Sequence, residues 1–231
     1  MKKKNRYYDN KVINKPWGYE YVIYRVGNVL SVTFLKINPG KSTSLHCHTE
    51  KKTGFALLDG QAKIQLGLWK SEQKNYKSPS KLMIRTGLFH SIKCVSKRPL
   101  LALEFETPYK KNDLVRYKDK YGRKFKPYEK GIKYIKNIDN FIKLKKPKKN
   151  KSQLLKFNKT DVYFENHYNF KKLIAERKDT IFAVINGAVS TKNGKKVLSP
   201  GDIVKKGTLL KLSESFYIKK KLTILRIKKN A

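Results

Sequence analysis

The chain has 231 residues, of which 55 are Lys or Arg and 17 are Asp or Glu, giving a formal net charge of +38 at pH 7. Hydrophobic residues make up 39%, enough for a packed core, which argues against general disorder. No apolar run approaches the length of a bilayer span, and no apolar h-region or small-residue cleavage site follows the basic residues at the start. With only two cysteines, we expect a cytoplasmic protein without disulfides or a membrane span.

The positive charge is spread along the whole chain. Such a surface attracts polyanions, so nucleic acid is a candidate partner. However, Lys is accompanied by frequent Asn and Ile, a composition that AT-rich codons also produce, and no zinc-finger, RNA-recognition or basic-zipper signature is present. We favour the compositional explanation over nucleic-acid binding.

The first half of the sequence alternates short β-rich runs with turn signals. Residues 19–26 and 29–37 flank Gly27-Asn28, which is a hairpin signal. Short strands at this spacing predict an antiparallel barrel or sandwich. Further strands are predicted at 55–58, 62–68, 81–84, 90–95 and 100–106.

The chain is predicted to divide near residue 145. Residues 142–152 are a basic run with a proline, which we interpret as a solvated linker; a nucleic-acid or membrane-surface tail is the alternative. A short helix is expected within 165–178, and the turns of 186–202 parallel those of 59–87, which indicates a second, smaller barrel. Strands are predicted there at 182–185, 189–191, 209–212 and 222–227.

Three of the four histidines lie in two short segments. His46 and His48 are separated by one residue, so in a strand they share a face, and His90 begins another predicted strand. Imidazoles placed in this way can hold one divalent metal and leave coordination positions open for water or substrate. Since His-x-His also occurs by chance, surface or hydrogen-bonded histidines are the alternative.

Glycines flank both histidine segments at the distances found in the two cupin motifs. Gly40 lies six residues before the first of these histidines, Gly60 twelve after the second, and Gly87 three before the third. Two further blocks, 15–19 (KPWGY) and 112–123 (NDLVRYKDKYGR), resemble the opening and the close of the cupin domain in type II mannose-6-phosphate isomerases. The resemblance extends to about residue 129.

This resemblance implies an all-β cupin fold, a double-stranded β-helix or jelly-roll barrel, that binds a divalent Zn, Mn, Fe or Ni ion. The implied partner is a sugar phosphate or nucleotide sugar, in surface-polysaccharide or carbohydrate metabolism. The predicted organisation is a basic N-terminal arm (1–14), a cupin metal-binding domain (15–130), a basic linker (131–152) and a degenerate cupin-like β-domain (153–231).

The sequence departs from the isomerase pattern at several positions. The acidic ligand position of the first cupin motif falls on Thr53, which supplies no charge to a metal. The isomerases carry Gln at His46, Arg at Lys51 and His-Trp at 54–55, and the proline of the second motif is Arg85. We therefore expect chemistry other than the simple interconversion of mannose 6-phosphate and fructose 6-phosphate.

Charged residues near the histidines are candidates for the remaining functions. Glu104 and Glu106 share one face of an otherwise apolar strand, where carboxylates are costly unless they are paired. We predict them as catalytic proton-transfer groups, with a salt bridge to a Lys or Arg as an equally weighted alternative. Lys51, Arg85 and Arg116 are the predicted phosphate-binding residues.

Three further features receive structural interpretations. Residues 113–123 are expected to form a turn clamped by Asp–Arg pairs, with phosphate binding by its arginines as the alternative. Cys94 is expected to be a small core residue, although a thiolate there is a candidate ligand. His167 is expected to be structural or exposed.

Several functions remain open at this stage. A sugar-phosphate isomerase-like cupin, with isomerase or epimerase chemistry at the metal, is favoured. A non-catalytic sugar- or metabolite-binding cupin module suits the loss of the acidic ligand, while polyanion binding and an Fe(II) dioxygenase are less favoured. The second half is expected to be a scaffold or a dimer element, so a homodimer is one expected assembly.

Overall fold

The computed structural model describes residues 11–123, 134–135 and 141–230. Among them, strands dominate and all the pairs are antiparallel, which confirms the all-β prediction. Most of the predicted arm (1–14), the predicted end of the cupin domain and part of the predicted linker (131–152) lie outside the described residues.

Within the described residues, the elements of the first half are twelve strands and one 3₁₀ helix, Lys70–Glu72. The strands are β1 (Val12–Lys15), β2 (Gly18–Val26), β3 (Leu30–Ile37), β4 (Leu45–His48), β5 (Lys52–Asp59), β6 (Gln61–Leu66), β7 (Gln73–Lys77), β8 (Ser80–Ile84), β9 (His90–Cys94), β10 (Leu100–Thr107), β11 (Leu114–Lys118) and β12 (Tyr134–Ile135).

The second half adds eight strands and two helices. They are β13 (Gln153–Lys156), β14 (Thr160–His167), α1 (Lys171–Ile174), β15 (Ile181–Asn186), β16 (Val189–Ser190), β17 (Lys196–Leu198), β18 (Ile203–Lys205), α2 (Lys206–Ser213), β19 (Tyr217–Ile218) and β20 (Leu222–Lys229).

Two sheets face each other in the first half and form the predicted jelly roll. Sheet I has the order β12-β1-β2-β3-β10-β5-β8 and sheet II the order β11-β4-β9-β6-β7. Leu35 and Phe55 from sheet I pack with Ile64 and Ile92 from sheet II in one apolar core. The inner faces of both sheets therefore enclose the space in which the site lies.

Sheet I is buried on both faces. Its second face packs against sheet III (order β13-β14-β20-β15-β18) through residues such as Phe34 and Phe105 on one side and Phe164 and Leu225 on the other. This explains why β3 and β10 are almost continuously buried, including their polar residues, with no alternation between buried and exposed positions. The two halves of the chain thus share one hydrophobic core.

Gly54 lies at the contact between the halves. A Cβ at this position would lie 2.7 Å from Cδ1 of Ile203 and 2.9 Å from Sδ of Met83. The close approach of β18 to sheet I therefore favours glycine where the isomerases carry histidine.

The outer layer of the second half is sheet IV (order β17-β16-β19) with the two helices. It covers the far face of β15 and β20 in a third core that includes Phe182 and Ile224. The second half therefore consists of two small antiparallel sheets, and its assignment as a degenerate cupin-like domain stays a prediction. No helix in the described part of the chain is long and apolar enough to cross a membrane.

Most element predictions are confirmed, including the hairpin at Gly27 and the short helix, which is α1. The strand predicted at 209–212 is wrong, because these residues belong to α2. Only Leu209 of this helix is fully buried, and Leu212, three residues later, packs on the same core, which is helical spacing. The expected linker is not wholly solvated either, since Leu144 is 4% exposed and packs into the shared core.

Candidate metal centre

Strands β4 and β9 of sheet II bring the three predicted histidines together. His46 lies directly opposite His90 in the β4–β9 pair, and His48 lies two residues further along the same face of β4. All three are buried, and one ring nitrogen from each lies within 4.8 Å of the others. Such a cluster can hold a metal ion, and Cys94 is outside it, in the apolar core, as expected.

The hydrogen bonds of His46 and His90 fix which ring nitrogen faces the cluster. Nδ1 of His46 lies 2.9 Å from the carbonyl oxygen of Ser44, and Nδ1 of His90 lies 3.0 Å from that of Leu88. Because a carbonyl oxygen only accepts, each Nδ1 carries the hydrogen and each Nε2 keeps a lone pair. Nε2 of His90 is buried without a hydrogen-bond partner, as a metal ligand awaiting its ion would be.

His48 is oriented by a carboxylate. Its Nδ1 lies 3.3 Å from Oδ1 of Asp113, just before β11, which pairs with β4. Burial alone would raise the pKa of Asp113, but its contacts with His48 and Lys51 outweigh burial and lower it. A carboxylate on the outer nitrogen of a ligating histidine is typical of metal sites. The sequence indicates only a clamped turn for residues 113–123, and nothing in it marks Asp113 for this role.

The histidines are neutral at neutral pH. Burial and the neighbouring imidazoles lower the pKa of His46 well below its usual value and that of His90 to about 3. Burial also lowers the pKa of His48, although Asp113 opposes the shift. Neutral imidazoles have the lone pairs that a divalent metal requires. The donor set therefore fits a divalent metal.

A cavity of about 50 Å³ adjoins the histidines. Its volume is enough for several water molecules, and therefore for a metal with open coordination positions. Apolar residues from both sheets form part of its wall. Its charged lining residues are Lys15, Glu20, Glu104, Glu106, Lys111, Arg116 and Arg123.

Glu104 and Glu106 both line this cavity but differ in their partners. Glu106 Oε1 lies 2.5 Å from Nζ of Lys51, and its Oε2 lies 2.6 Å from Nζ of Lys111, so the salt-bridge alternative applies to Glu106. Burial opposes ionisation of Glu106, but the two lysines outweigh it and hold its pKa well below the usual range. Ser31 Oγ also donates to its Oε2, at 2.7 Å.

Glu104 forms no hydrogen bond or ion pair within the described residues. Burial, reinforced by the charge of Glu106, raises its pKa to about 8. A carboxyl group with a pKa near neutral can both donate and accept a proton under physiological conditions. Glu104 and Glu106 have equivalent positions in the sequence pattern. In the folded protein they differ in their ion pairs and in the direction of their pKa shifts.

The three predicted phosphate-binding residues are placed differently. Arg116 lies opposite His46 in the β11–β4 pair and lines the cavity. Lys51 is buried and does not line it, and Arg85 is exposed and also lies outside its lining. Lys111 also lines the cavity and is not among the predicted site residues, since nothing in the sequence separates it from the many other lysines.

The expected Asp–Arg clamp is present. Asp119 accepts two hydrogen bonds from the guanidinium of Arg123, the shorter at 2.6 Å, and Tyr121 Oη donates to the carbonyl oxygen of Ser42. Through Tyr121, this turn connects the end of β11 to the segment that precedes β4 in sheet II. His167 is also structural, as expected, because it lies 2.8 Å from Glu165 in the second half.

Thr53 occupies the position at which cupins carry an acidic ligand. It lies directly opposite Glu106 in the β5–β10 pair, and its buried Oγ1 has no hydrogen-bond partner among the described residues. Among the described residues, the candidate metal cluster therefore consists of three neutral nitrogen donors and includes no acidic residue.

A match to a known protein family agrees with this architecture. Residues 2–119 match the family model described as the mannose-6-phosphate isomerase C-terminal domain. In sequence comparison, no curated protein matches the chain.

Among solved structures, BH2720 from Bacillus halodurans is 22% identical over 37% of this chain and 67% of its own, with a TM-score of 0.35. CapF from Staphylococcus aureus, a capsular polysaccharide assembling protein, is 15% identical over 47% of this chain and 34% of its own (TM-score 0.41). A putative sugar phosphate isomerase from Acidithiobacillus ferrooxidans is 14% identical over 47% and 74%, respectively (TM-score 0.36). Because the family model spans half of the sequence, the chain belongs to the mannose-6-phosphate isomerase C-terminal family and has a cupin fold.

Proposed function

We propose that the protein binds one divalent metal ion through His46, His48 and His90 and uses this centre to isomerise or epimerise a phosphorylated or nucleotide-linked sugar. We place this activity in carbohydrate metabolism or surface-polysaccharide synthesis. The observation that carries the proposal is the convergence of three buried, neutral imidazoles that line one cavity with Glu104, an acid whose pKa is about 8.

The chemistry of isomerisation requires a polarised oxygen and a group that moves a proton. The bound metal would supply a Lewis acid for a carbonyl or hydroxyl oxygen of the sugar. Glu104 is the proposed proton-transfer residue, because its burial and pKa suit removal and return of a carbon-bound proton. Glu106 remains ionised between its two lysines. Its negative charge disfavours a second carboxylate nearby and therefore raises the pKa of Glu104.

The charge of the centre favours an anionic ligand. Three neutral imidazoles leave both positive charges of a divalent ion uncompensated, because Thr53 is neutral. Arg116 in the cavity wall adds a guanidinium, whose fork matches phosphate oxygens. Both features support a phosphorylated substrate.

A non-catalytic sugar- or metabolite-binding module is the second candidate. Thr53 favours this second candidate, because the position at which the cupin motif has an acidic metal ligand is neutral in this chain. Such a module would keep the metal and the ligand but would not exchange the ligand's carbon-bound protons.

An exchange experiment separates the two candidates. Metal-loaded protein is incubated in deuterium oxide with a panel of sugar phosphates and nucleotide sugars, and NMR follows both product formation and replacement of C–H by C–D. We expect turnover that Glu104→Gln slows by about 10²- to 10⁴-fold, with Glu50→Gln, an exposed acid, as the matched control. Binding of a panel member without exchange or turnover would establish the module instead, and neither binding nor turnover would contradict both candidates.

A further inference from the structure

We propose that Lys51 is a positioning residue that couples the metal ligand His48 to the carboxylate of Glu106 through a buried chain of ion pairs. The inference rests on the proposed metal centre. In this role Lys51 contacts other residues of the protein, whereas the sequence predicts that it binds the phosphate of a substrate.

All the hydrogens of the Lys51 ammonium group have acceptors within the protein. Nζ lies 2.5 Å from Oε1 of Glu106, 2.6 Å from the carbonyl oxygen of Lys110 and 3.3 Å from Oδ1 of Asp113. The side chain of Lys51 is 1% exposed. An ammonium group has three N–H donors, so these three acceptors leave none for a substrate.

One oxygen connects this ammonium to the metal centre. Oδ1 of Asp113 lies 3.3 Å from Nδ1 of His48 and 3.3 Å from Nζ of Lys51. Displacement of the Lys51 ammonium group would therefore also displace Oδ1 of Asp113, the atom that orients the imidazole of His48. Because the outer hydrogen bond of a ligating histidine sets the direction of its inner nitrogen, such a shift changes the geometry offered to a metal.

The other end of the chain reaches the acids of β10. Glu106 is held by Lys51 on one oxygen and by Lys111 on the other, and Glu104 lies two residues away on the same face of the strand. Two buried cations thus balance the carboxylates of Glu106 and Asp113. Removing one member leaves an uncompensated buried charge, so the network holds its geometry only when it is complete.

The chain offers a matched control for Lys51. The next residue, Lys52, also forms an ion pair across the fold, with Nζ 2.6 Å from Oδ1 of Asp202 in the second half. Its side chain is 34% exposed, and its contacts lie away from the histidines. Lys52→Met therefore removes the same type of side chain and one ion pair without touching the metal centre.

The test measures Co²⁺ affinity by competition with a chromophoric chelator, together with the visible spectrum of the bound Co²⁺, in the full chain. Lys51→Met is expected to weaken Co²⁺ binding by about 10- to 100-fold and to alter the spectrum. Lys52→Met is expected to leave both unchanged. Glu106→Gln is expected to weaken binding as well, and that effect should vanish when Lys51 is already Met, because the link is then broken.

The outcomes separate this inference from the proposed function. Equal Co²⁺ affinities and spectra for Lys51→Met and Lys52→Met would overturn the role of Lys51 alone, as would full additivity of the Lys51 and Glu106 variants. Wild-type protein that binds no Co²⁺ would overturn the metal centre and the coupling with it. If Lys51→Met does not fold, Asp113→Asn probes the same link, and an unchanged Co²⁺ affinity and spectrum there would overturn the coupling.

Discussion

His46 and His90 face each other directly across the antiparallel pair of β4 and β9, and the centroids of their rings are 4.5 Å apart. Directly opposed residues in such a pair have Cβ atoms about 4.5–5.5 Å apart, so strand register sets the spacing of these two rings. A slip of one residue would turn a whole strand's side chains to the other face. The candidate centre is therefore a direct product of sheet register.

Replacing Glu104 by Gln is expected to lower kcat by about 10²- to 10⁴-fold, the usual contribution of a proton-transfer residue, without reducing metal content. Wild-type kcat/KM should rise with pH up to about 8, because removal of a proton requires ionised Glu104. The variant should lack this rise. The measurement is a pH profile of turnover with elemental analysis, and an unchanged profile in Glu104→Gln would contradict the assigned role.

Restoring an acid at Thr53 is expected to have opposite effects with and without metal. In the metal-free protein, Thr53→Glu places a second buried carboxylate directly opposite Glu106, so we expect a lower melting temperature. Added Zn²⁺ should recover more stability in Thr53→Glu than in Thr53→Gln, which has the same size without the charge. Melting curves with and without Zn²⁺ measure both effects, and equal recovery would show that position 53 does not face the metal.

The ion pair between Glu165 and Arg226 should make part of the stability depend on acid pH. Burial alone would raise the pKa of Glu165, but bonds from His167 and Arg226 lower it from 4.5 to about 2. Its contribution is then complete above pH 4.5 and is lost as the pH falls towards 2, because only there does the folded state bind the proton.

We therefore expect Glu165→Gln to lower the free energy of unfolding by about 1–2 kcal/mol at pH 7, a range that allows for screening of a partly exposed pair. The difference from wild type should shrink as the pH approaches 3. Urea unfolding at several pH values measures it, with the exposed Glu214→Gln as the control. A difference that stays constant with pH would contradict the assignment.

Because the two halves share one hydrophobic core, we expect a core substitution in the second half to destabilise the first half as well. Phe164 is fully buried against sheet I, with its ring 4.9 Å from that of Tyr24, so Phe164→Ala should cost about 3–5 kcal/mol. Both tryptophans, Trp17 and Trp69, lie in the first half, and buried Trp17 reports on its unfolding. Its fluorescence transition in urea should shift in Phe164→Ala and stay in place in the exposed Leu154→Ala, whereas an unshifted transition would show that the halves unfold independently.

Much of the fold and the histidine cluster can be predicted from sequence because both depend on local pattern. Alternation in Leu45–His48 puts two histidines on one face, and the glycines at 40, 60 and 87 mark the turns that bound the strands. The position of α2 could not be predicted in this way, since a short run with three leucines fits either a strand or a helix until its packing is known.

The partners of the acids could not be predicted, because they are set by long-range register. Lys51 meets Glu106 across 55 residues, and nothing local distinguishes it from the exposed Arg85 as a phosphate-binding candidate. Likewise, Asp113 meets His48 only because β11 pairs with β4. In a chain with 55 basic residues, composition cannot show which cation is buried.

The most direct test of the metal centre is elemental analysis of natively purified protein beside a His46→Ala/His48→Ala variant, with His167→Ala as a control for loss of a histidine elsewhere. We expect about one divalent metal ion per chain in the wild type and in His167→Ala, and almost none in the double variant. Equal metal content in the wild type and the double variant would contradict the assignment of His46, His48 and His90 as the ligands.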